Sequence, residues 1–163
     1  VYKRQGWTTT MEQRKEGLLH TSWKGRFTVI NKKPLFIVDG AHNAGAADKM
    51  AESVRHYFNG KKLIYIMGVF ADKEYKIVLE KTAHFAEKIY TIETPDNPRA
   101  LPAEELAKAA RVYNSSAEST KSIKDAVEKA FSCAGDDENS VILAFGSLSF
   151  IGALTNAVEE YVG

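Results

Sequence analysis

With 163 residues, 44% of them apolar and 26% charged, the chain is long enough for one domain with its own core and has the balance of an ordinary soluble globular protein. A formal net charge of +1 argues against a polyanion-binding protein, and the seven Tyr and eight Phe do not cluster with Lys or Arg into a nucleic-acid platform. A single cysteine, Cys133, excludes an internal disulfide; no apolar run reaches membrane-spanning length and no signal segment opens the chain, so a cytoplasmic monomer is expected.

Residues 1–17 are polar and weakly periodic, and Val1 is not a natural initiator, so the chain is expected to be a piece of a longer one. Residues 27–30 alternate and are rich in β-branched side chains. A turn at 31–34 leads into the apolar run 35–38, which predicts an antiparallel strand pair at one sheet edge. Residues 46–58 carry a helical apolar face (Ala47, Met50, Ala51, Val54, Phe58) closed by Asn59-Gly60. A buried strand is predicted at 63–67. Asp72 is read as the cap of a helix reaching about residue 88, with Tyr75, Val78, Leu79 and Ala86 inward. Residues 89–92 form a further strand and 94–101 a Pro-containing loop. Pro102 stands at the first position of a helix that has Glu104 and Glu105 in its first turn and Leu106, Ala109, Ala110 and Tyr113 on its apolar side. A short strand lies within 115–118. The next helix starts at Thr120 or Ser122, and Gly135 opens an acidic loop. The last strand, 141–145, runs through Gly146-Ser147 into a helix ending near Tyr161.

Strands alternating with helices predict an α/β fold: a mostly parallel sheet of roughly six strands with helices on both faces. There is no internal repeat, no low-complexity segment and no boundary inside residues 20–163; residues 1–19 read as a tail from a preceding domain or linker.

The chemistry concentrates at the carboxyl end of the 35–38 strand. Asp39-Gly40-Ala41-His42-Asn43 places an acid, a flexible Gly, an imidazole and an amide where α/β sheets bind ligands. Asp39 can accept from hydroxyls, His42 can donate or carry charge, and the first-turn N–H groups of the following helix can hold an anion. The same five residues also read as a strand-to-helix turn with Asn43 as its N-cap. Gly146-Ser147 offers a second helix-start position for a phosphate or carboxylate, or a structural turn. On the residues alone Arg26 is a surface cation beside an edge strand. The sequence has no G-x-x-x-x-G-K-[ST] phosphate loop, no His, Cys and carboxylate cluster with metal spacing, and no G-x-S-x-G elbow that would make Ser147 and His42 a serine hydrolase pair.

Four separated segments carry a resemblance: Trp23-Lys24-Gly25-Arg26, the stretch 35–43, the loop Thr94-Pro95-Asp96-Asn97-Pro98-Arg99-Ala100-Leu101-Pro102, and Ala144-Phe145-Gly146-Ser147-Leu148. In order and spacing they resemble the C-terminal domain of the folylpolyglutamate synthases, often bifunctional with dihydrofolate synthase, a branch of the Mur ligase family with a Rossmann-like C-terminal domain. The resemblance covers roughly residues 16–163. It implies an ATP-dependent carboxylate–amine ligase that joins L-glutamate to folate or folylpolyglutamate through an acyl phosphate. It implies Arg26 on the ATP phosphates, Asp39 on the ribose, and His42 and Ser147 on the glutamate side. The phosphate loop and the Mg²⁺ ligands are expected in absent N-terminal and central domains, so the fragment alone is expected to be inactive, with no metal site of its own.

Asp96-Asn97-Pro98-Arg99 also resembles the motif with which peptidoglycan tripeptide ligases recognise diaminopimelate, where Arg99 would pair with a substrate carboxylate. That leaves a peptidoglycan amino-acid ligase, or a non-catalytic nucleotide-binding or interaction module, as alternatives. Lys73 and His84 read as exposed helix residues.

Overall fold

The computed structural model describes Gly6, residues 8–20 and residues 25–163. Trp23 and Lys24, the first half of one resemblance motif, lie outside the described residues.

The strands are β1 (Thr28–Lys32), β2 (Leu35–Val38), β3 (Lys62–Met67), β4 (Lys88–Thr91), β5 (Ala117–Ser119) and β6 (Ser140–Phe145). They form one sheet in the order β1-β2-β6-β3-β4-β5. Among these six strands, β1 and β2 pair antiparallel and the other neighbours pair parallel. The helices are α1 (Met11–Leu19), α2 (Ala44–Tyr57), α3 (Tyr75–Thr82), α4 (Ala103–Arg111), α5 (Ile123–Ala134) and α6 (Ile151–Val162).

The central strands are continuous apolar runs because both faces of the sheet are covered. Successive side chains point to opposite faces. Ile37, Leu63, Tyr65, Met67, Val141, Leu143 and Phe145 join α2, α3 and α4 in one core. Phe36, Val38, Ile64, Ile66, Ile142 and Ala144 join α5 and α6 in the other. The predicted α/β architecture is the observed one.

Several boundaries differ from the sequence reading, each for a local reason. Asp72 does not cap α3, which begins at Tyr75 with Glu74 at its N-cap. Asp72 is held by Arg99 instead. The helix after β3 stops at Thr82 and tightens into a 3-10 turn, Ala83–Phe85, because β4 already begins at Lys88. Pro102 is the N-cap of α4 rather than its first residue, and Tyr113 lies past the end of that helix, exposed. The polar N-terminal stretch contains α1, started by a capping box in which Thr10 and Gln13 exchange side chain and backbone bonds at 3.1 and 3.0 Å. None of its nine residues is buried, which is why hydrophobic periodicity gives no sign of it.

A candidate active site at the carboxyl edge of the sheet

The parallel strands all end on one edge. The ladder continues one residue past each: the Asp39 N–H donates to the Ala144 carbonyl at 2.9 Å and the Gly68 N–H to the Phe145 carbonyl at 3.3 Å. Asp39, Gly68 and Gly146 therefore stand side by side at the ends of β2, β3 and β6. Gly146 has φ +116° and lies against the Gly68 carbonyl, where a side chain would collide with backbone, so this approach requires glycine.

The turn after β2 is built by Asp39. One carboxylate oxygen accepts the Ala41 N–H at 2.8 Å; the other reaches back and accepts the Phe27 N–H at 2.9 Å. Phe27 occupies the left-handed region at φ +46°, rare for an aromatic residue, and the Gly40 N–H donates to the Gly25 carbonyl at 2.8 Å. The 25–27 corner is thus tied twice to the 39–40 turn. Both carboxylate oxygens keep a second lone pair for a further donor.

Asn43 caps α2, its side chain accepting the Ala46 N–H at 2.9 Å. Glu74 takes the Ala44 N–H at 3.2 Å. The expected anion site at the start of α2 is therefore largely filled by the protein's own side chains.

These ties divide the four expected site residues into two pairs. Arg26 and Asp39 line a cleft of about 350 Å³ with Phe27, Lys49, Met50 and Ser53. Arg26 is exposed, and no described residue pairs with its guanidinium. His42 and Ser147 line a second cleft of about 280 Å³ with Phe70, Lys73, Leu148 and Ser149. His42 Nδ1 lies 2.7 Å from the Gly40 carbonyl. A carbonyl only accepts, so Nδ1 carries the proton, and in the neutral ring Nε2 is left as an acceptor. The Ser147 and Ser149 hydroxyls are 2.7 Å apart.

Lys73 is the residue that the sequence reading missed. It is not on a helix; it lies in the turn before α3, and its side chain shares the second cleft with His42 and Ser147. A cation one position ahead of a helix N-cap, in the loop that follows β3, was the available signal. His84 is exposed in the 3-10 turn after α3 and outside both clefts. Size does not locate the chemistry here. A hollow of about 590 Å³ opens at the opposite edge of the sheet between Lys33, Leu35 and Asp136, where the exposed cation Lys33 is already paired with Glu138.

Residues 25–148, most of the chain, match the family described as the Mur ligase, glutamate ligase domain. The chain belongs to that family. It is 30% identical over 103 residues to the folylpolyglutamate synthase of Lacticaseibacillus casei, which aligns with 63% of this chain and 24% of the relative. It is 29% identical over 148 residues to the dihydrofolate synthase/folylpolyglutamate synthase of Bacillus subtilis, covering 91% of this chain and 33% of the relative. The chain thus spans about a quarter to a third of the relatives it matches. Among solved structures, the E. coli FolC in complex with DHPP and ADP superposes with a TM-score of 0.83 at 19% identity, covering 99% of this chain and 37% of that one. A bifunctional folylpolyglutamate synthase/dihydrofolate synthase with Mn, AMPPNP and L-glutamate bound gives 0.82 at 24% identity, covering 98% and 37%. At these identities the structural likeness establishes the fold of this Mur ligase domain.

Proposed function

We propose that this glutamate ligase domain is the C-terminal part of an ATP-dependent folylpolyglutamate synthase. The whole enzyme adds L-glutamate to folate or folylpolyglutamate and releases ADP and phosphate. The observation that carries the reading is the pair of clefts at the carboxyl edge of the sheet. One has an Arg that no described residue pairs, beside a carboxylate; the other has an imidazole, an ammonium and a hydroxyl. The relatives support the folate branch over a peptidoglycan ligase, and so does the engagement of Arg99 with Asp72 rather than with open space.

ATP supplies the phosphoryl group that turns a carboxylate, a poor electrophile, into an acyl phosphate with a phosphate leaving group. In the first cleft Arg26 holds a phosphate, and the spare lone pairs of Asp39 accept from the ribose hydroxyls. In the second, Lys73 and Ser147 hold the carboxylates of the incoming glutamate, and His42 Nε2 accepts an N–H of its amine. The amine nitrogen then attacks the acyl carbon, its proton passes to His42 Nε2, and the carbon–oxygen bond to the phosphate breaks as phosphate departs. Positioning and charge stabilisation carry the catalysis that this domain contributes.

Among the described residues no three His, Cys or carboxylate side chains gather as a metal site. The Mg²⁺ ligands and the phosphate loop are assigned to segments outside this chain, as are the folate-binding partners. Residues 1–19, with the unburied α1, belong to the connection with those segments. A cytoplasmic monomer completes the proposal; no helix among the described residues is long and apolar enough to cross a membrane.

The test is steady-state kinetics of the full-length parent with ATP, folate and glutamate varied separately. His42→Ala should raise the KM for glutamate while leaving the KM for ATP near its starting value. Losing this one neutral hydrogen bond is worth on the order of twofold to tenfold. A glutamate KM that does not move would remove His42 from the amino-acid site.

A further inference from the structure

The Asp96-Asn97-Pro98-Arg99 segment lies alongside the loop that carries Lys73. The Ala71 N–H donates to the Arg99 carbonyl at 2.8 Å, Phe70 and Ala100 form an antiparallel bridge, and the Arg99 guanidinium lies over the Phe70 ring at 4.9 Å. From there Arg99 grips Asp72 with two bonds: Nε to Oδ1 at 3.1 Å and Nη2 to Oδ2 at 2.5 Å. Two residues on, Glu74 is fastened to the Ala44 N–H. Residues 71, 72 and 74 are thus committed, and the Lys73 N–H donates to the Phe70 carbonyl at 3.1 Å, so only the Lys73 side chain has room to move. Its ammonium stands 3.7 Å from Asp72 Oδ2, an oxygen already held by Arg99.

We infer that Arg99 is a positioning residue for the amino-acid cleft: by gripping Asp72 it keeps the Asp72–Lys73 ion pair at its long 3.7 Å separation instead of letting it tighten, and so leaves the Lys73 ammonium available to the carboxylate of the incoming amino acid. The inference rests on the proposed glutamate site. The physical point is competition. Asp72 lies within salt-bridge reach of both cations, and bidentate guanidinium geometry matches a carboxylate better than an ammonium does. Without Arg99, the nearest cation to the released carboxylate among the described residues is Lys73, and a tightened pair would engage the ammonium that the incoming carboxylate needs.

A guanidinium that touched substrate would give a different pattern, and a double variant separates the two. In the full-length parent at low salt, Lys73→Ala and Arg99→Ala should each raise the glutamate KM on the order of tenfold, with the ATP KM unchanged. Adding Asp72→Asn to Arg99→Ala should bring the glutamate KM most of the way back, because a neutral amide at position 72 has no charge with which to hold Lys73. Arg99→Lys keeps a cation near Asp72 but loses the two-point grip, so its glutamate KM should fall between wild type and Arg99→Ala, which also serves if Arg99→Ala fails to fold. A normal glutamate KM in Lys73→Ala overturns the amino-acid site itself, and the inference with it. A raised KM in Lys73→Ala with no change in Arg99→Ala, or no relief from Asp72→Asn, overturns the inference alone.

Discussion

The Asp39 carboxylate, at the end of β2, accepts the backbone N–H of Phe27, twelve residues earlier in the chain, at 2.9 Å. This bond holds an aromatic residue at φ +46° and thereby fixes the corner on which Arg26 stands. Such a backbone conformation costs of order 1–3 kcal/mol and persists only where the surroundings impose it. Asp39 therefore does two jobs. It clamps the corner, and it keeps spare lone pairs that the proposed nucleotide site would use.

The expected outcome for Asp39→Ala in the full-length parent is a double loss. Two backbone donors, of Phe27 and Ala41, lose their acceptor, which should cost about 1–3 kcal/mol in unfolding free energy. The released corner should also carry Arg26 away from the first cleft and raise the KM for ATP. Urea unfolding together with ATP-varied kinetics checks both. Unchanged stability with impaired ATP use would leave ligand contact as the whole role of Asp39; unchanged kinetics would leave only the turn.

A second prediction concerns acid. Glu118, on β5, is held by Lys129 and Lys88 at 2.6 and 2.8 Å, and their hydrogen bonds pull its carboxyl down to about 2 from 4.5. A carboxylate whose folded pKa lies below its unfolded value stabilises the fold above the unfolded pKa, and that contribution fades as pH falls toward the folded one. The window here is from 4.5 down to about 2. The side chain is 42% exposed, so solvent screens the pair and the effect should be no more than about 1 kcal/mol. Thermal unfolding followed from about pH 5 to about pH 2 should show a shallower decline in Glu118→Gln than in the wild type. Parallel curves would mean that the two lysines do not stabilise the folded state.

The sequence made the sheet legible because its central strands are buried on both faces and leave unbroken apolar runs such as Leu63-Ile64-Tyr65-Ile66-Met67. Asn43 was legible as a cap for an equally local reason, a short amide just ahead of a helical pattern. The turn after β3 was not. Asp72 has the chemistry of an N-cap, and nothing nearby in sequence reveals that Arg99, 27 residues on, claims it. Lys73 was missed for the same cause: its place in a cleft depends on partners from two other loops. The division of Arg26 and Asp39 from His42 and Ser147 was also out of reach. Every one of them borders a strand end, but which side of the 39–43 turn each faces is set by tertiary contact.

A last prediction follows from what separates the two clefts. Leu148, at the rim of the second, lays its side chain over Gly40 and Gly25. A Cβ on Gly40 would come within 2.5 Å of Leu148 Cδ2 and 2.7 Å of Cγ. Gly40 does not need a positive φ, so its small size answers to Leu148 alone, and Leu148 is 46% exposed and free to swing outward. Gly40→Ala should therefore fold, with Leu148 displaced into the second cleft and the glutamate KM raised. Combining it with Leu148→Ala should relieve the collision and restore much of the lost affinity, a non-additive pair. Gly146→Ala is the contrasting case. Its Cβ would meet the Gly68 carbonyl, which cannot swing aside, at a φ that disfavours any side chain. That variant should lose on the order of 2 kcal/mol or more of stability, and Leu148→Ala should not rescue it. Unfolding curves and glutamate-varied kinetics of the four variants decide between the cases. If Gly40→Ala proved as damaging as Gly146→Ala and equally beyond rescue, Leu148 would not be the side chain that dictates glycine at position 40.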